Sequence, residues 1–145
     1  TSAGVVGDIL AARLKYRGVA AVVTDGAVRD GSGVAATGLP VWCAGSAAPA
    51  SLGEHVGGDL QVAVGCGNVT VIPDDIIVAD GDGVVVVPAA FAADVAAAAI
   101  DQERFEAWVQ QQVEAGRKTL GLYPPDAATQ AEYDAWRGRP EDGQT

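Results

Sequence analysis

Asp8 is followed by twenty residues and then by the pair Arg29-Asp30. This set combines two carboxylates with one guanidinium, on two segments that one pass of chain can bring together. Carboxylate oxygens are hard ligands for a divalent cation. Arginine is a permanent, planar cation shaped to clamp a carboxylate. Side by side they can hold a metal and an anionic substrate. Asp8 opens an apparent helix, and Arg29-Asp30 come after the strand that follows it. The first amides of that helix, at residues 8 to 10, would offer a second anion site.

The elements that must position these groups are legible in outline. Gly7 to Gly18 reads as a short helix. Asp8 suits its first turn, Ile9, Leu10 and Leu14 form an apolar stripe, and Gly18 suits its end. Val19 to Thr24 predicts a short buried strand. Asp25-Gly26 signals a turn, with Asp25 shaping it. Leu39 to Cys43 predicts another strand, and residues 44 to 60 a loop. Gln61–Val64 and Val69–Ile72 flank Gly65-Cys66-Gly67-Asn68 as a hairpin, and Ile76–Ala79 and Val84–Val87 flank Asp80-Gly81-Asp82-Gly83 as a second. From Ala89 to Ala115 the chain turns Ala-, Glu- and Gln-rich, which favours helix. Phe91, Val95, Ile100, Phe105, Trp108 and Val113 could share one broken apolar face of it. Tyr123-Pro124-Pro125 predicts a stiff linker, and Asp126 the cap of a last helix from Ala127 to about Trp136. The division expected is a core over residues 1–88, a helical extension over 89–137 and a flexible tail over 138–145.

Bulk properties bound the function. The chain has 145 residues and is 49% hydrophobic, enough for a real core. Its net charge of −10 argues against nucleic acid and anionic membranes as partners. It does not exclude small anionic substrates, because one local Arg outweighs a diffuse field at close range. No apolar run approaches the roughly 20 residues of a membrane span. Cys43 and Cys66 fit no CxxC pattern and read as buried thiols of a cytoplasmic protein, with one disulfide open to them. The chain starts at Thr1 and holds no Met. The expectation is a processed or cropped chain, or one piece of a split polypeptide.

Other candidates are weaker. Asp80-Gly81-Asp82-Gly83 begins like a calcium loop, but its twelfth position is Phe91 instead of Glu. His55 stands in a polar loop without a matching Ser and Asp order. Gly65-Cys66-Gly67 is too short for a phosphate loop. Thr1 could be an N-terminal nucleophile activated by its own amine. Tyr133, Trp108 and Trp136 read as helix-packing or interface residues.

Taken in order, Gly7-Asp8-Ile9-Leu10-Ala11, the run from Gly18 to Asp30, Gly38-Leu39-Pro40-Val41 and the run from Asp80 to Pro88 resemble one family. It contains the regulator of ribonuclease activity A and the 4-hydroxy-4-methyl-2-oxoglutarate/4-carboxy-4-hydroxy-2-oxoadipate aldolases. The resemblance is tight over residues 4 to 88, and Gly121-Leu122-Tyr123-Pro124-Pro125 looks like its longer members. It implies an α/β fold of the swivelling β/β/α type with added C-terminal helices, assembled as a trimer or hexamer. It also implies a metal-dependent aldolase, releasing pyruvate from a 4-hydroxy-2-oxo acid or decarboxylating oxaloacetate.

By that resemblance Asp30 ligates Mg2+ or Mn2+ directly and Asp8 holds it through water. Arg29 binds the keto-acid end and stabilises the enolate, while the amides around Gly7, Asp8, Ile9 and Leu10 take a substrate carboxylate. Two departures stand out. Pro73-Asp74-Asp75 replaces a common Pro-Gly-Asp, and the family's N-terminal portion is expected to lie outside this stretch of chain. In the aldolases a Glu of that portion, from a neighbouring subunit, completes the site, so a separate N-terminal segment is a conceivable partner. The alternative the resemblance offers is a regulatory protein that masks a ribonuclease or RNA helicase.

Overall fold

The computed structural model describes residues 2–138. Thr1, the candidate nucleophile, and the tail from residue 139 onward therefore lie outside the described residues. The fold is α/β. The chain divides into two compact units, Thr1–Ala90 and Phe91–Thr145.

In the first unit β1 (Gly4–Val6) leads into α1 (Asp8–Tyr16), and β2 (Val22–Val23) and β3 (Ala27–Val28) lead into α2 (Gly31–Thr37). Next come β4 (Val41–Trp42), β5 (Gly45–Ser46) and a 3-10 turn at Ser51–Gly53. Strands β1, β3 and β5 form a parallel sheet in that spatial order, and β2 pairs with β4, also parallel. Parallel neighbours need crossover connections, and α1 and α2 supply them. Both helices turn apolar side chains to one cluster. Ala11, Val34 and Leu39 are buried there, with Val6, Leu14, Val22 and Val41 packed against them. Gly18 closes α1 in the left-handed region at φ +82, and the Val19 N–H reaches back to the Leu14 carbonyl at 3.1 Å.

Two antiparallel hairpins complete the unit: β6 (Val64–Cys66) with β7 (Val69–Val71), and β8 (Ile76–Ala79) with β9 (Val84–Val87). The second keeps the expected bounds. The first is shifted, because Gly67 and Asn68 alone take positive φ and make a two-residue turn. Asp80 settles the Asp-Gly-Asp-Gly loop as a tight turn: its carboxylate accepts the N–H groups of Asp82 and Gly83. Asp74, at the position where the resembled pattern carries Gly, sits at φ 76. A short acidic side chain tolerates that region better than most.

Several expectations are corrected. Only Val22 and Val23 of the 19–24 run pair as strand, and β3 lies between that run and Arg29. Residues 44 to 60 are not all loop, since Gly45–Ser46 joins the parallel sheet. Helix α2 was not expected, because Gly31-Ser32-Gly33 has poor helix propensity. The 25–26 turn is closed by the Thr24 hydroxyl, which accepts the Gly26 N–H at 2.9 Å. Asp25 instead accepts the Gly67 N–H at 3.1 Å, tying the turn to the first hairpin. The cysteines are not buried: Cys43 is exposed, Cys66 is partly exposed, and both are free thiols.

In the second unit α3 (Ala92–Glu114) and α4 (Ala127–Arg137) pack through Phe105, Trp108, Val109, Leu122 and Tyr133. Phe105 and Tyr133 meet edge to face at 5.0 Å. The expected apolar face of α3 is realised only in part. Phe91, Val95 and Ile100 are exposed, because the shorter α4 meets only the later turns of α3, and Val113 in the last turn is exposed as well. Arg117 pins the pair by bonding Glu132 and the Thr129 hydroxyl. Asp126 caps α4, accepting the Thr129 N–H at 2.8 Å.

That backbone bond, first, and the other Thr129 contact hold the Asp126 carboxyl below its ordinary range. A depressed carboxyl stabilises the fold above its unfolded pKa and ceases to do so as pH falls through its folded pKa. Asp126→Ala is expected to lower the Tm of the helical unit at pH 7, with a deficit that shrinks below about pH 4. Circular dichroism melts across pH 3 to 7 would show it, and a pH-independent deficit would contradict it. Leu122→Ala, at a fully buried position, is expected to cost about 2–5 kcal/mol in urea unfolding.

Candidate functional site

The carboxyl ends of parallel strands are where α/β sheets present ligand sites. Gly7-Asp8 follow β1 and Arg29-Asp30 follow β3, and these strands are neighbours in the sheet. The Arg29 N–H donates to the Val6 carbonyl at 2.9 Å, continuing the ladder one residue past the strand. The next residue, Asp30, adopts the left-handed region (φ 54, ψ 41) and turns the chain into α2. A non-glycine residue there marks a local constraint.

Three glycines make the close approach possible. A Cβ on Gly4 would stand 2.6 Å from the Arg29 main-chain nitrogen. One on Gly7 would stand 2.9 Å from both Arg29 Nε and Asp30 Oδ2. One on Gly33 would stand 2.9 Å from Asp8 Oδ2. Arg29 and Asp30 thus lie over the start of α1, and Asp8 lies over the first turn of α2. The sequence named Asp8, Arg29 and Asp30 as candidates; Arg29 and Asp30 pair over Gly7, and Asp8 lies over Gly33. The glycines were the missed part, although Gly4, Gly7 and Gly33 bracket the motif.

Arg29 Nε and Asp30 Oδ2 are 3.2 Å apart, with both side chains 40% or more exposed. An exposed pair of this kind contributes at most about 1 kcal/mol to stability. Holding the fold together is therefore a poor account of it. Asp8 is no helix cap either, since Gly7 occupies the cap position without a side-chain bond. The Asp8 carboxylate accepts the Ile9 N–H at 2.7 Å. That bond engages one of the amides expected to take a substrate carboxylate. Ile9 is 81% exposed and Leu10 47% exposed, so the first turn of α1 is open to solvent.

The residues suit a hard divalent cation in one respect. Asp8 and Asp30 supply oxygen donors, and Mg2+ commonly takes one or two carboxylates and keeps several waters. No group of three or more His, Cys, Asp or Glu among the described residues could enclose a metal. Any cation here would thus rest on two protein carboxylates and water.

Other features stand apart. A cavity of about 890 Å3 is lined by Trp42, Cys43, Cys66, Val64, Ile77 and Val85, among others. It holds none of Asp8, Arg29 and Asp30, and its walls are mainly apolar. His55 is exposed in its loop. No described helix is long and apolar enough to cross a membrane.

Comparison with known proteins bears on the family. A family model described as RraA-like (Aldolase/RraA) matches residues 1–86. A Halalkalibacterium halodurans protein named "Putative 4-hydroxy-4-methyl-2-oxoglutarate aldolase" is 38% identical over 84 residues, 58% of this chain and 40% of that one. A Pseudomonas aeruginosa protein of the same name is 36% identical over 85 residues, 59% of this chain and 52% of that one. The chain thus spans about half the length or less of these curated relatives.

Among solved structures, Streptomyces coelicolor RraAS2, described as an unusual member of the RNase ES inhibitor RraA family, is 37% identical with a TM-score of 0.70. That match covers 75% of this chain and 56% of RraAS2. An uncharacterized protein from Pseudomonas syringae matches with a TM-score of 0.78 and 27% identity, over 83% and 60% of the two chains.

The glycine contacts make a specific prediction. Gly7→Ala places its methyl group against movable side-chain ends, so the fold is expected to survive with Arg29 and Asp30 displaced. Gly4→Ala meets main chain and is expected to break the β1–β3 register. Melting curves should show Gly4→Ala strongly destabilised, by several-fold more than Gly7→Ala. Equal losses would mean that these close approaches do not set the geometry.

Proposed function

The chain belongs to the RraA-like family, and from that premise we propose that it is a divalent-metal-dependent lyase. It releases pyruvate from a 4-hydroxy-2-oxo acid by retro-aldol cleavage, and decarboxylates oxaloacetate at the same centre. One observation supports this reading: Asp8 follows β1 and Arg29-Asp30 follow its parallel neighbour β3, with Gly4, Gly7 and Gly33 admitting their close approach.

In the proposed mechanism Asp30 would hold Mg2+ or Mn2+ directly and Asp8 would hold it through water. A bound divalent cation supplies electrostatic relief of the charge that builds on the 2-oxo oxygen. Arg29 clamps the keto-acid carboxylate and lowers the energy of the same developing charge. The open first turn of α1 receives substrate through the amides near Leu10. Both reactions leave a pyruvate enolate, so one arrangement serves both.

The proposal includes a homo-oligomer. Val64, Val78 and Val85 on the two hairpins are each at least half exposed, and large exposed apolar surface usually marks an interface. A regulatory binding protein that inhibits a ribonuclease is the second reading. The likeness to RraAS2 favours it, and the net charge of −10 suits docking to a basic partner. A pure binder has no use for the Asp8, Arg29 and Asp30 set.

Pyruvate release from 4-hydroxy-4-methyl-2-oxoglutarate and from oxaloacetate, with Mg2+ and with EDTA, tests the lyase reading. Turnover is expected with metal and not with chelator. Asp30→Ala is expected to abolish it, and Arg29→Ala to remove roughly 2–4 kcal/mol of transition-state stabilisation. Wild-type rates in either variant would refute the assignment.

A further inference from the structure

The third strand of the parallel sheet ends beside the same centre. Ser46 is the last residue of β5 and stands in register with Val28, the residue before Arg29. The Ala47 N–H donates to the Val28 carbonyl at 2.9 Å, so the pairing holds to the strand's end. Paired strands lie about 4.8 Å apart, which sets Ser46 one strand spacing from the start of the Arg29-Asp30 turn. Its side chain leans toward that turn, with Oγ 3.6 Å from where a Cβ on Gly31 would stand. Ser46 is exposed, so its hydroxyl is open to a ligand. The strand ends therefore present, in order, Gly7-Asp8, Arg29-Asp30 and Ser46.

We propose that Ser46 is a specificity-determining residue that contacts the substrate, its hydroxyl bonding the C4 hydroxyl of a 4-hydroxy-2-oxo acid whose keto-acid end is held by Arg29. This rests on the lyase reading above. In retro-aldol cleavage the C3–C4 bond breaks and its electron pair enters the enolate. The C4 hydroxyl gives its proton to water and becomes the carbonyl of the second product. The enolate then takes a proton from water at C3, giving pyruvate. Ser46 keeps its own proton throughout and fixes the direction of the C4–O bond. Oxaloacetate has no C4 hydroxyl. A hydrogen bond to its C4 carboxylate is weakened as neutral CO2 departs, so it favours the ground state over the transition state. Ser46 therefore discriminates between the two reactions.

The test compares kcat/KM for 4-hydroxy-4-methyl-2-oxoglutarate and oxaloacetate in the full chain, Ser46→Ala and Ser46→Thr, all with Mg2+. Ser46→Ala is expected to shift the ratio against the hydroxy acid on the order of tenfold, the worth of one such hydrogen bond. Ser46→Thr, which keeps the hydroxyl, is expected to restore most of it. A merely structural serine would lower both activities in step. A ratio unchanged in Ser46→Ala, or shifted equally in Ser46→Thr, overturns the proposal while leaving the lyase reading intact. Wild-type chain that releases no pyruvate from either substrate overturns the lyase reading, and this inference with it.

Discussion

One main-chain hydrogen bond orders the rest of the site. The Arg29 N–H is held by the Val6 carbonyl, so the chain leaves β3 level with the point where it leaves β1. The bond requires Gly4 and Arg29 to approach within a distance that no side chain at position 4 would permit. Given that register, two helices start side by side, and each carries a carboxylate at its head. The left-handed turn at Asp30 then decides which way its side chain projects. The placement of these side chains depends on backbone geometry first and on side-chain choice second.

Much of the site was legible in the sequence because its charged residues are sparse and clustered. Asp8 and Arg29-Asp30 stood out, and the structure sets them at the ends of the neighbouring strands β1 and β3. The elements between them were harder to read. Val19 to Thr24 looks like one strand, yet only two of its residues pair, because the chain turns at Thr24 to enter β3. Helix α2 was hidden by Gly31 and Gly33, and at Gly33 the low helix propensity is the local cost of admitting Asp8. The hairpin at Asp80 and the cap at Asp126 were read correctly because both depend on local side-chain to backbone bonds. The cysteines and the outer face of α3 were misread because burial depends on what packs against them, which residue type alone does not reveal.

The two units are built on different principles. In the first, very short strands and small side chains gather around a few buried residues, and many valines and isoleucines of the hairpins remain exposed. In the second, a compact aromatic cluster does the packing: Phe105, Trp108 and Tyr133 are in mutual ring contact, and Trp136 meets Trp108 and Tyr133. Such rings bring large apolar area and directional contacts from few residues. A two-helix unit of this size benefits from both.

The buried residues of α3 also say how that unit breathes. The helix runs 23 residues, about 34 Å at the usual rise, but its buried side chains fall only between Phe105 and Val109. Ahead of that anchor its turns are held chiefly by their own hydrogen bonds, and isolated turns are marginal in water. Amide protons from Ala92 to about Asp101 would therefore exchange with solvent by local fraying, while those around Trp108 exchange only when the unit opens as a whole. The helix is one element geometrically, and its exchange would divide it into two.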